Sequence, residues 1–396
     1  MDKTLSNHPN LAKHRQNFPA LDNKKYFNFG GQGPLSNSAL AAINQAYNYI
    51  QQKGPFGLQI GDWIVEQIEL TREAIAQELG TNSATITLTE CVTTGCNIAL
   101  WGINWQPGDH ILLSDCEHPG VIATVREISR RFQVEVSQCP ILETLNEGDP
   151  VQVVANHLRD NTKLLVISHV LWNTGQVLPI AEITQLCHHH NPKPVQVLVD
   201  AAQSVGSLPL NLSILGADFY AFTGHKWWCG PEGVGGLYVR PEALETIHPT
   251  FIGSAGIIKN KQGQFKAWKP GGRRFEVSTS SYPLYLGLKE AINTHQQYGT
   301  SSERYEQICQ LSNYLWQGLS QLKQVKCLHT SPPGSGLVSF QLTNGIKHNQ
   351  LVKDLESKGF LLRTLNYPDC IRACVHYFTF QKEIDDLVEL IGSVQD

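Results

Sequence analysis

Residues 198–239 read LVDAAQSVGSLPLNLSILGADFYAFTGHKWWCGPEGVGGLYV, in which polar residues follow two apolar runs. One apolar run ends in Asp200, and the next leads into a Thr-Gly-His-Lys tetrapeptide that ends at Lys226. Runs that are apolar on both faces are typical of parallel strands covered by helices. Ligands in such sheets bind at the carboxyl ends of the strands. Asp200 and Lys226 therefore mark a candidate site.

The same alternation of apolar runs and amphipathic stretches extends from about residue 85 to residue 239. It predicts strands at 85–88, 110–114, 134–137, 164–168, 195–200, 218–222 and 235–239. Helices are predicted in the intervals, for example at 95–103, 120–131 and 180–190. The expected fold class is α/β, with a mostly parallel seven-stranded sheet in a large domain.

After residue 272 the pattern changes to that of a smaller α+β domain. It predicts a helical region at 282–322, interrupted near Tyr298-Gly299, followed by strands at 336–342 and 370–378 and helices at 349–358 and 381–391. We therefore expect a large domain at 15–285. The small domain is expected to combine residues 286–396 with an N-terminal arm at 1–14.

Composition excludes several classes of protein. The 396 residues carry 31 Lys and Arg against 35 Asp and Glu, a net charge of −4 without a basic run, which disfavours nucleic-acid binding. No apolar stretch predicts a membrane span or an export signal, so a cytoplasmic protein is expected. The ten cysteines form no CxxC pair, and His188 to His190 look like an exposed helix end. We predict no metal site.

An acid at a strand end and a lysine in a tight loop suit a cofactor that has an aldehyde and a pyridine ring. The Lys226 amine can condense with the aldehyde, while Asp200 keeps the ring nitrogen protonated and the ring an electron sink. If no such cofactor is bound, Lys226 would be an ordinary surface lysine and Asp200 a helix cap. Gln203, three residues after Asp200, would then be a solvent-facing helix residue.

Separated motifs in this order resemble the aminotransferase class-V family of pyridoxal 5'-phosphate (PLP) enzymes, in its cysteine desulfurase and C–S lyase group. The family pattern D-x-A-Q followed by [ST]-G-H-K is met by D-A-A-Q and T-G-H-K, and the resemblance extends from about residue 26 to residue 372. It implies the type I, aspartate aminotransferase-like PLP fold. It also implies roles for Lys226 as the cofactor lysine, Asp200 at the pyridinium nitrogen, Gln203 at the ring hydroxyl, and Thr223 and His225 at the phosphate.

Upstream motifs add further residues to this implied site. Thr93 and Thr94, in TECVTTGCN, open a helix and offer hydroxyl and N–H groups to a phosphate, although an N-cap is the alternative. His118, in a Glu-His pair, occupies the place of the histidine that stacks on the cofactor ring; a structural histidine is the alternative. In SHVLWNTG, Asn173 falls one place later than the family asparagine that bonds the ring hydroxyl.

Downstream motifs imply a dimer and a substrate site. The segment RFEVST resembles R-F-E-x-G-T, whose threonine, here Thr279, reaches the phosphate of a neighbouring subunit in a homodimer. Arg372 takes the place of the arginine that binds the substrate α-carboxylate, because a planar guanidinium suits that bidentate task. Arg363 aligns with a second family arginine. Gly31 and Gln32 lie in the position of the family's N-terminal active-site loop.

One departure from the pattern decides the expected reaction. Cysteine desulfurases carry a nucleophilic cysteine on a loop between the two arginines, but only eight residues, 364–371, separate Arg363 from Arg372 here. The one cysteine in that segment, Cys370, is expected to be structural. The hypothesis is a C–S lyase that converts cystine and cysteine to pyruvate, ammonia and a persulfide or sulfide, supplying sulfur for iron–sulfur clusters. A desulfurase and a non-catalytic sulfur-transfer scaffold are the alternatives.

Overall fold

The structure is a computed structural model that describes residues 11–394. Its α-helices are Leu11–Arg15 (α1), Asn37–Lys53 (α2), Leu58–Glu78 (α3), Val92–Gly102 (α4), Pro119–Phe132 (α5), Pro150–His157 (α6), Ile180–His188 (α7), Leu212–Leu215 (α8), Tyr282–Tyr298 (α9), Ser301–Ser320 (α10), His348–Ser357 (α11) and Gln381–Gly392 (α12). Its strands are Lys25–Tyr26 (β1), Ile86–Thr89 (β2), His110–Ser114 (β3), Glu135–Cys139 (β4), Thr162–Ser168 (β5), Gln196–Asp200 (β6), Phe219–Thr223 (β7), Gly235–Val239 (β8), Ile257–Lys259 (β9), Phe265–Trp268 (β10), Val325–Cys327 (β11), Leu337–Leu342 (β12), Phe360–Leu361 (β13), Arg363–Asn366 (β14) and Asp369–Cys374 (β15).

Seven strands form the main sheet in the order β2-β8-β7-β6-β5-β3-β4. Only β8 runs antiparallel to its neighbours β2 and β7, and the other pairs are parallel. Apolar side chains cover both faces, in one core that includes Ile167 and Val199 and a second that includes Val166 and Leu198. Consecutive residues of one strand thus enter opposite cores, as the doubly apolar runs predicted. The expected fold class is confirmed.

A second, four-stranded antiparallel sheet has the order β11-β12-β15-β14. The face of β15 that carries Ile371 and Ala373 packs in a separate apolar core with α10 and α12, while Cys370, Arg372 and Cys374 alternate onto the other face. The predicted strand at 370–378 is too long. After Cys374 the chain turns, with the Thr379 N–H bonded to the His376 carbonyl.

The long N-terminal helices α2 and α3 were not predicted, and both pack against α9. Helix α1 is held by Arg15, which donates to the Phe378 carbonyl at 2.8 Å and pairs with the Glu383 carboxylate. The domain limits of 15–285 for the large unit and 1–14 plus 286–396 for the small one stay a prediction. Residues 1–10 and 395–396 of that division lie outside the described residues.

The sequence predicted neither a membrane-spanning helix nor a metal site. Within residues 11–394, no helix combines the length and the apolar character needed to cross a bilayer. No cluster of His, Cys, Asp and Glu side chains there has the arrangement of a metal site. His188, at the end of α7, is instead bonded through Nε2 to the Asp218 carboxylate at 2.8 Å.

Candidate active site

Lys226 lies in a tight loop between β7 and β8 that two tryptophans anchor. Trp227 and Trp228, which directly follow Lys226, are fully buried and pack in two different apolar cores. The His376 and His295 rings donate from Nε2 to the carbonyls of Trp227 (3.0 Å) and Trp228 (2.8 Å). These bonds satisfy buried carbonyls and fix the backbone that carries the lysine. The Lys226 side chain is therefore held by a rigid support.

Asp200 and His118 are two of the titratable groups close to Lys226. Asp200 ends β6 and is 6% exposed, with Oδ1 accepting from the Ala202 N–H at 2.9 Å. Burial lowers the pKa of Lys226 to about 8, although the Asp200 charge opposes that shift. Burial also raises the pKa of Asp200, against the opposing effects of the Ala202 bond and of Lys226. A bound cation beside Asp200 would restore the ionised carboxylate.

His118 caps the N-terminus of α5, where its Nδ1 accepts from the Gly120 N–H at 3.2 Å. Because Nδ1 is an acceptor, the neutral ring carries its proton on Nε2. Burial lowers the pKa of His118; the Asp200 charge opposes this shift, whereas the Lys226 and Arg363 charges add to it. The residue nevertheless remains exposed. An uncharged ring with a free face is suited to stacking on an aromatic cofactor.

The candidate phosphate site combines α4 with the end of β7. Thr93 and Thr94 lie in the first turn of α4, where backbone N–H groups have no helical partner. Gly95 lets this helix approach the sheet, because a Cβ there would lie 3.0 Å from the Ala221 Cβ. Thr223 Oγ1 lies 2.6 Å from His225 Nδ1 in the lysine loop. The helix end and its dipole favour a dianion there.

The N-terminal loop, residues 29–35, packs directly on the lysine loop. The Gly33 N–H donates to the His225 carbonyl at 2.7 Å, and a Cβ on Gly33 would lie 2.2 Å from the Lys226 carbonyl. The loop turns at Gly31, whose N–H donates to the Asn28 carbonyl. Gln32 is bonded through Nε2 to Glu232, so its side chain reaches across to the segment that follows the lysine. Gly31 and Gln32 thus border the site.

Gln203 links this loop to the tryptophan anchors. It is 3% exposed; its Nε2 donates to the Gly30 carbonyl at 2.8 Å, and its Oε1 accepts from Trp227 Nε1 at 2.9 Å. The solvent-facing alternative for Gln203 is therefore wrong. Its role at a ring hydroxyl stays a prediction, and the contacts seen here are those of a buried brace.

Arg372 has a free donor edge. It is 1% exposed, and its Nη1 donates to the Trp172 carbonyl at 2.6 Å while Nη2 lies 3.5 Å from Asn28 Oδ1. Its Nε is buried without a partner among the described residues. An unpartnered buried donor is costly unless a ligand satisfies it. The edge formed by Nε and Nη2 therefore fits a carboxylate in the bidentate manner.

Arg363 and Arg372 are connected by a closed β-hairpin. Arg363 pairs with Arg372 in the register of β14 and β15, and Asn366 pairs with Asp369 at the turn. Cys370 lies within this ladder, fully buried, and burial raises the pKa of its thiol to about 12. A protonated thiol inside a paired strand is a poor nucleophile. These contacts agree with the structural role predicted for Cys370.

Asn173 and Trp172 contact the hairpin of β14 and β15 on one side and the region of His118 on the other. Asn173 Nδ2 donates to the Tyr367 carbonyl at 3.2 Å, whereas Oδ1 is buried and unpartnered among residues 11–394. Trp172 Nε1 donates to the Cys116 carbonyl, and its ring lies edge-on to the His118 ring at 6.1 Å. The Asn173 oxygen is thus available to a ligand donor.

Thr279 is not brought into contact with the other predicted residues. It is exposed on the segment that precedes α9 and makes no hydrogen bond in the described part of the chain. The segment is anchored by Glu276, which pairs with Arg72 at 2.7 Å and accepts from the Leu88 N–H at 3.0 Å. The role of Thr279 at the phosphate of a neighbouring subunit stays a prediction.

This geometry agrees with comparisons to known proteins. Residues 35–387 match the model of the family described as Aminotransferase class-V. The chain belongs to the aminotransferase class-V family. A cysteine desulfurase of Escherichia coli O7:K1 (strain IAI39 / ExPEC) is 30% identical over 344 residues, which cover 82% of this chain and 81% of that protein.

Two solved structures of a protein named C-DES are similar over nearly the whole chain, each at 50% identity. One is the complex between the cystine C–S lyase C-DES and its reaction product cysteine persulfide, with a TM-score of 0.94 over 96% of this chain and 100% of that one. The other is a lysine-to-alanine mutant with glycine covalently linked to the PLP cofactor, with a TM-score of 0.95 over 96% and 99%.

The predicted family, the fold and the assignment as an enzyme are confirmed. Members of this class-V group are PLP-dependent enzymes, so the predicted cofactor is confirmed too. The residues present fit that group, since the Arg372 guanidinium and the exposed His118 residue lie close enough to Lys226 to interact with its charge, and Asn173 carries a buried oxygen without a partner among residues 11–394.

Sequence reasoning missed several residues that shape the class-V site. The sequence did contain an indication of Trp172, because this tryptophan occupies the position at which the family pattern has its asparagine. Glu117 was visible in the Glu-His pair but received no role. Asn28 lies in no motif. Gly33 lies in the N-terminal loop and the two tryptophans follow T-G-H-K, but neither motif indicated the contacts that these residues make.

Proposed function

We propose that this protein is a PLP-dependent C–S lyase that β-eliminates cystine, and more slowly cysteine. The observation that carries the proposal is the closed hairpin between Arg363 and Arg372. Its turn is paired at Asn366 and Asp369, and Cys370 is buried in the ladder. A cysteine that attacks substrate sulfur needs a thiolate on a segment free to move. This hairpin offers neither, so the route that needs no protein thiol is favoured.

Arg372 would orient the substrate. A carboxylate on its Nε and Nη2 edge would be held against a guanidinium already fixed by the Trp172 carbonyl. Such bidentate pairing defines both position and plane of the carboxylate. The substrate Cα proton could then be directed toward Lys226, which the Arg372 and Arg363 charges also face. A positioned reactant is the first requirement of the reaction.

Lys226 would move the proton. Burial and the two arginines lower its pKa to about 8 against the opposing Asp200 charge, so the neutral amine is far more abundant near physiological pH than in a lysine with the usual pKa. A general base with a pKa near the working pH combines the free form with sufficient basicity. The bound cofactor supplies the electron sink for the pair left at Cα. Asp200 would keep that sink protonated at the position predicted for the ring nitrogen.

The overall reaction balances without a redox partner. Loss of the Cα proton and of the Cβ–S bond converts cystine and one water into pyruvate, ammonia and cysteine persulfide. With cysteine the leaving group is hydrosulfide. A persulfide leaves more readily because its conjugate acid has the lower pKa. The named structure of C-DES with cysteine persulfide supports the cystine reaction by similarity.

We also propose a homodimer whose sites share Thr279. The exposed Thr279 segment is anchored firmly by Glu276, and large apolar side chains such as Phe56 and Leu58 are more than 90% exposed. Such exposure supports an association surface. Mixing a K226A subunit with a T279A subunit should restore some activity if sites are shared. Supply of sulfur to iron–sulfur cluster assembly and a cytoplasmic location remain predictions.

Product analysis with cystine tests the proposed reaction. Pyruvate and ammonia in equal amounts, together with persulfide, are expected from the wild-type protein. Stoichiometric alanine and a protein-bound persulfide would instead establish a desulfurase. Purified protein that holds the cofactor but forms neither pyruvate nor alanine would favour a non-catalytic scaffold.

A further inference from the structure

Glu117 forms a side-chain bridge between two strands of the main sheet. Its Oε1 accepts from Ser114 Oγ at 2.5 Å and from the Ser168 N–H at 2.8 Å, and its Oε2 accepts from Ser168 Oγ at 3.0 Å. Ser114 ends β3 and Ser168 ends β5. One buried carboxyl group therefore joins the carboxyl ends of neighbouring strands, where the site lies.

The bridge reaches both groups that are predicted to contact the cofactor ring. His118 is the next residue in the chain, so the turn fixed by Glu117 determines where that imidazole leaves the sheet. Ser168 pairs with Asp200 in the register of β5 and β6. The His169 N–H also donates to the Asp200 carbonyl at 3.1 Å. Glu117 is thus connected to His118 through the chain and to Asp200 through the sheet.

The environment of Glu117 contains titratable groups on several elements. Asp200 faces it from β6, Cys96 from α4 and Cys139 from the end of β4, while Asp115 and Cys116 precede it in the turn. Burial, and then the Asp200 charge, raise the pKa of Glu117 to about 8. Glutamine, which keeps the shape without a charge, is therefore a mild substitution here.

We propose that Glu117 is a positioning residue for the PLP site, clamping β3 to β5 so that His118 and Asp200 keep a fixed spacing around the cofactor ring. The inference rests on the proposed function only through the shared cofactor. It does not depend on which sulfur product forms. Glu117 touches neither Lys226 nor Arg372, so its effect should pass through the placement of other groups.

The test compares E117A, E117Q and the control E127Q in the holoenzyme. Glu127 lies on the exposed side of α5, paired with Arg130 and Arg131. For E117A we expect kcat to fall about tenfold to a hundredfold, the size expected when buried groups such as the Ser114 hydroxyl and the Ser168 N–H lose their partner. KM should stay within about twofold, because the Arg372 contacts are untouched. E117Q should recover most of the loss, and E127Q should match the wild type.

A spectroscopic readout separates positioning from plain stability. Without substrate, E117A should shift the pH midpoint and maximum of the cofactor absorption band and weaken PLP binding, whereas E117Q should stay near the wild type. A wild-type band, midpoint and kcat in E117A, with only a lower melting temperature, would overturn the proposal. If E117A does not fold, S168A removes one side of the bridge and should give the same shifts in smaller measure. These readouts hold even if the enzyme proves to make alanine.

Discussion

Arg363 and Arg372 face each other as a register pair across β14 and β15, so both side chains leave the same face of one hairpin. Desolvation and the neighbouring Arg372 charge lower the pKa of Arg363. Two like charges are held together, and a pair of carboxylates would relieve their repulsion. Cystine carries two carboxylates and cysteine carries one.

Substitution of Arg372 should chiefly affect substrate binding. R372K keeps the charge but loses the planar edge formed by Nε and Nη2, so kcat/KM should fall about tenfold or more through KM. Steady-state kinetics with cystine measure this. If the same loss in kcat/KM came entirely from kcat, with KM unchanged, Arg372 would not be the residue that binds the carboxylate.

Substitution of Arg363 should distinguish the two substrates. In R363Q we expect KM for cystine to rise about fivefold to tenfold, the value of one exposed charged contact, with KM for cysteine nearly unchanged. The side chain is exposed, so folding should be unaffected. An equal change for both substrates would contradict a contact with the distal carboxylate.

The lysine should make the cofactor-free protein sensitive to pH. The pKa of Lys226 is about 8 in the folded chain and near its usual 10.5 when unfolded. The unfolded state therefore binds more protons between pH 8 and 10.5, so the destabilisation is complete below pH 8 and is relieved as pH rises through that window. Cofactor-free K226Q should exceed the wild type by about 1 kcal/mol or more at pH 7. Urea unfolding at pH 7 and pH 10 should show the difference shrinking.

Close packing of the N-terminal loop predicts that G33A damages the site. The added Cβ would meet the Lys226 carbonyl, and the backbone must shift at a cost of about 1–3 kcal/mol. PLP affinity should fall with stability. The matched control is G61A in α3, where a Cβ meets nothing within 4 Å and should stabilise the helix by about 0.5–1 kcal/mol.

Removal of the hairpin thiol should leave the reaction intact. C370A is expected to keep cystine turnover within about twofold of the wild type, since buried thiols act as packing groups. C309A, a half-buried cysteine on α10, serves as the control. Loss of sulfur release in C370A alone would support the desulfurase alternative.

The main sheet was predictable because its strands are apolar on both faces and its motifs follow their ends. Each of its seven strands begins and ends within two residues of the predicted limits, and β3 and β8 match those limits at both ends. The end of β15 was not predictable in the same way. Val375 continues the apolar run, but the chain leaves the sheet so that His376 can bond the Trp227 carbonyl.

Contacts between distant segments explain what sequence reasoning missed in the site. For Gln203 the sequence predicted a ring-hydroxyl contact, with a solvent-facing helix residue as the alternative. It did not predict that the amide bonds the Gly30 carbonyl and the Trp227 indole, which are distant from it in the chain or in its motif. Helices α2 and α3 carry no motif and were overlooked. The motif residues around Lys226, by contrast, could be grouped into a candidate site from the sequence, because each follows a strand that ends at the same edge of the sheet.

The roles proposed for the other residues of the site depend on attachment of the cofactor to Lys226. Borohydride reduction of the purified holoenzyme, followed by peptide mapping with mass spectrometry, measures it directly. The expected result is one pyridoxyl adduct, on the peptide that contains Lys226. An adduct on another lysine, or none on a protein that retains its absorption band, would contradict the account.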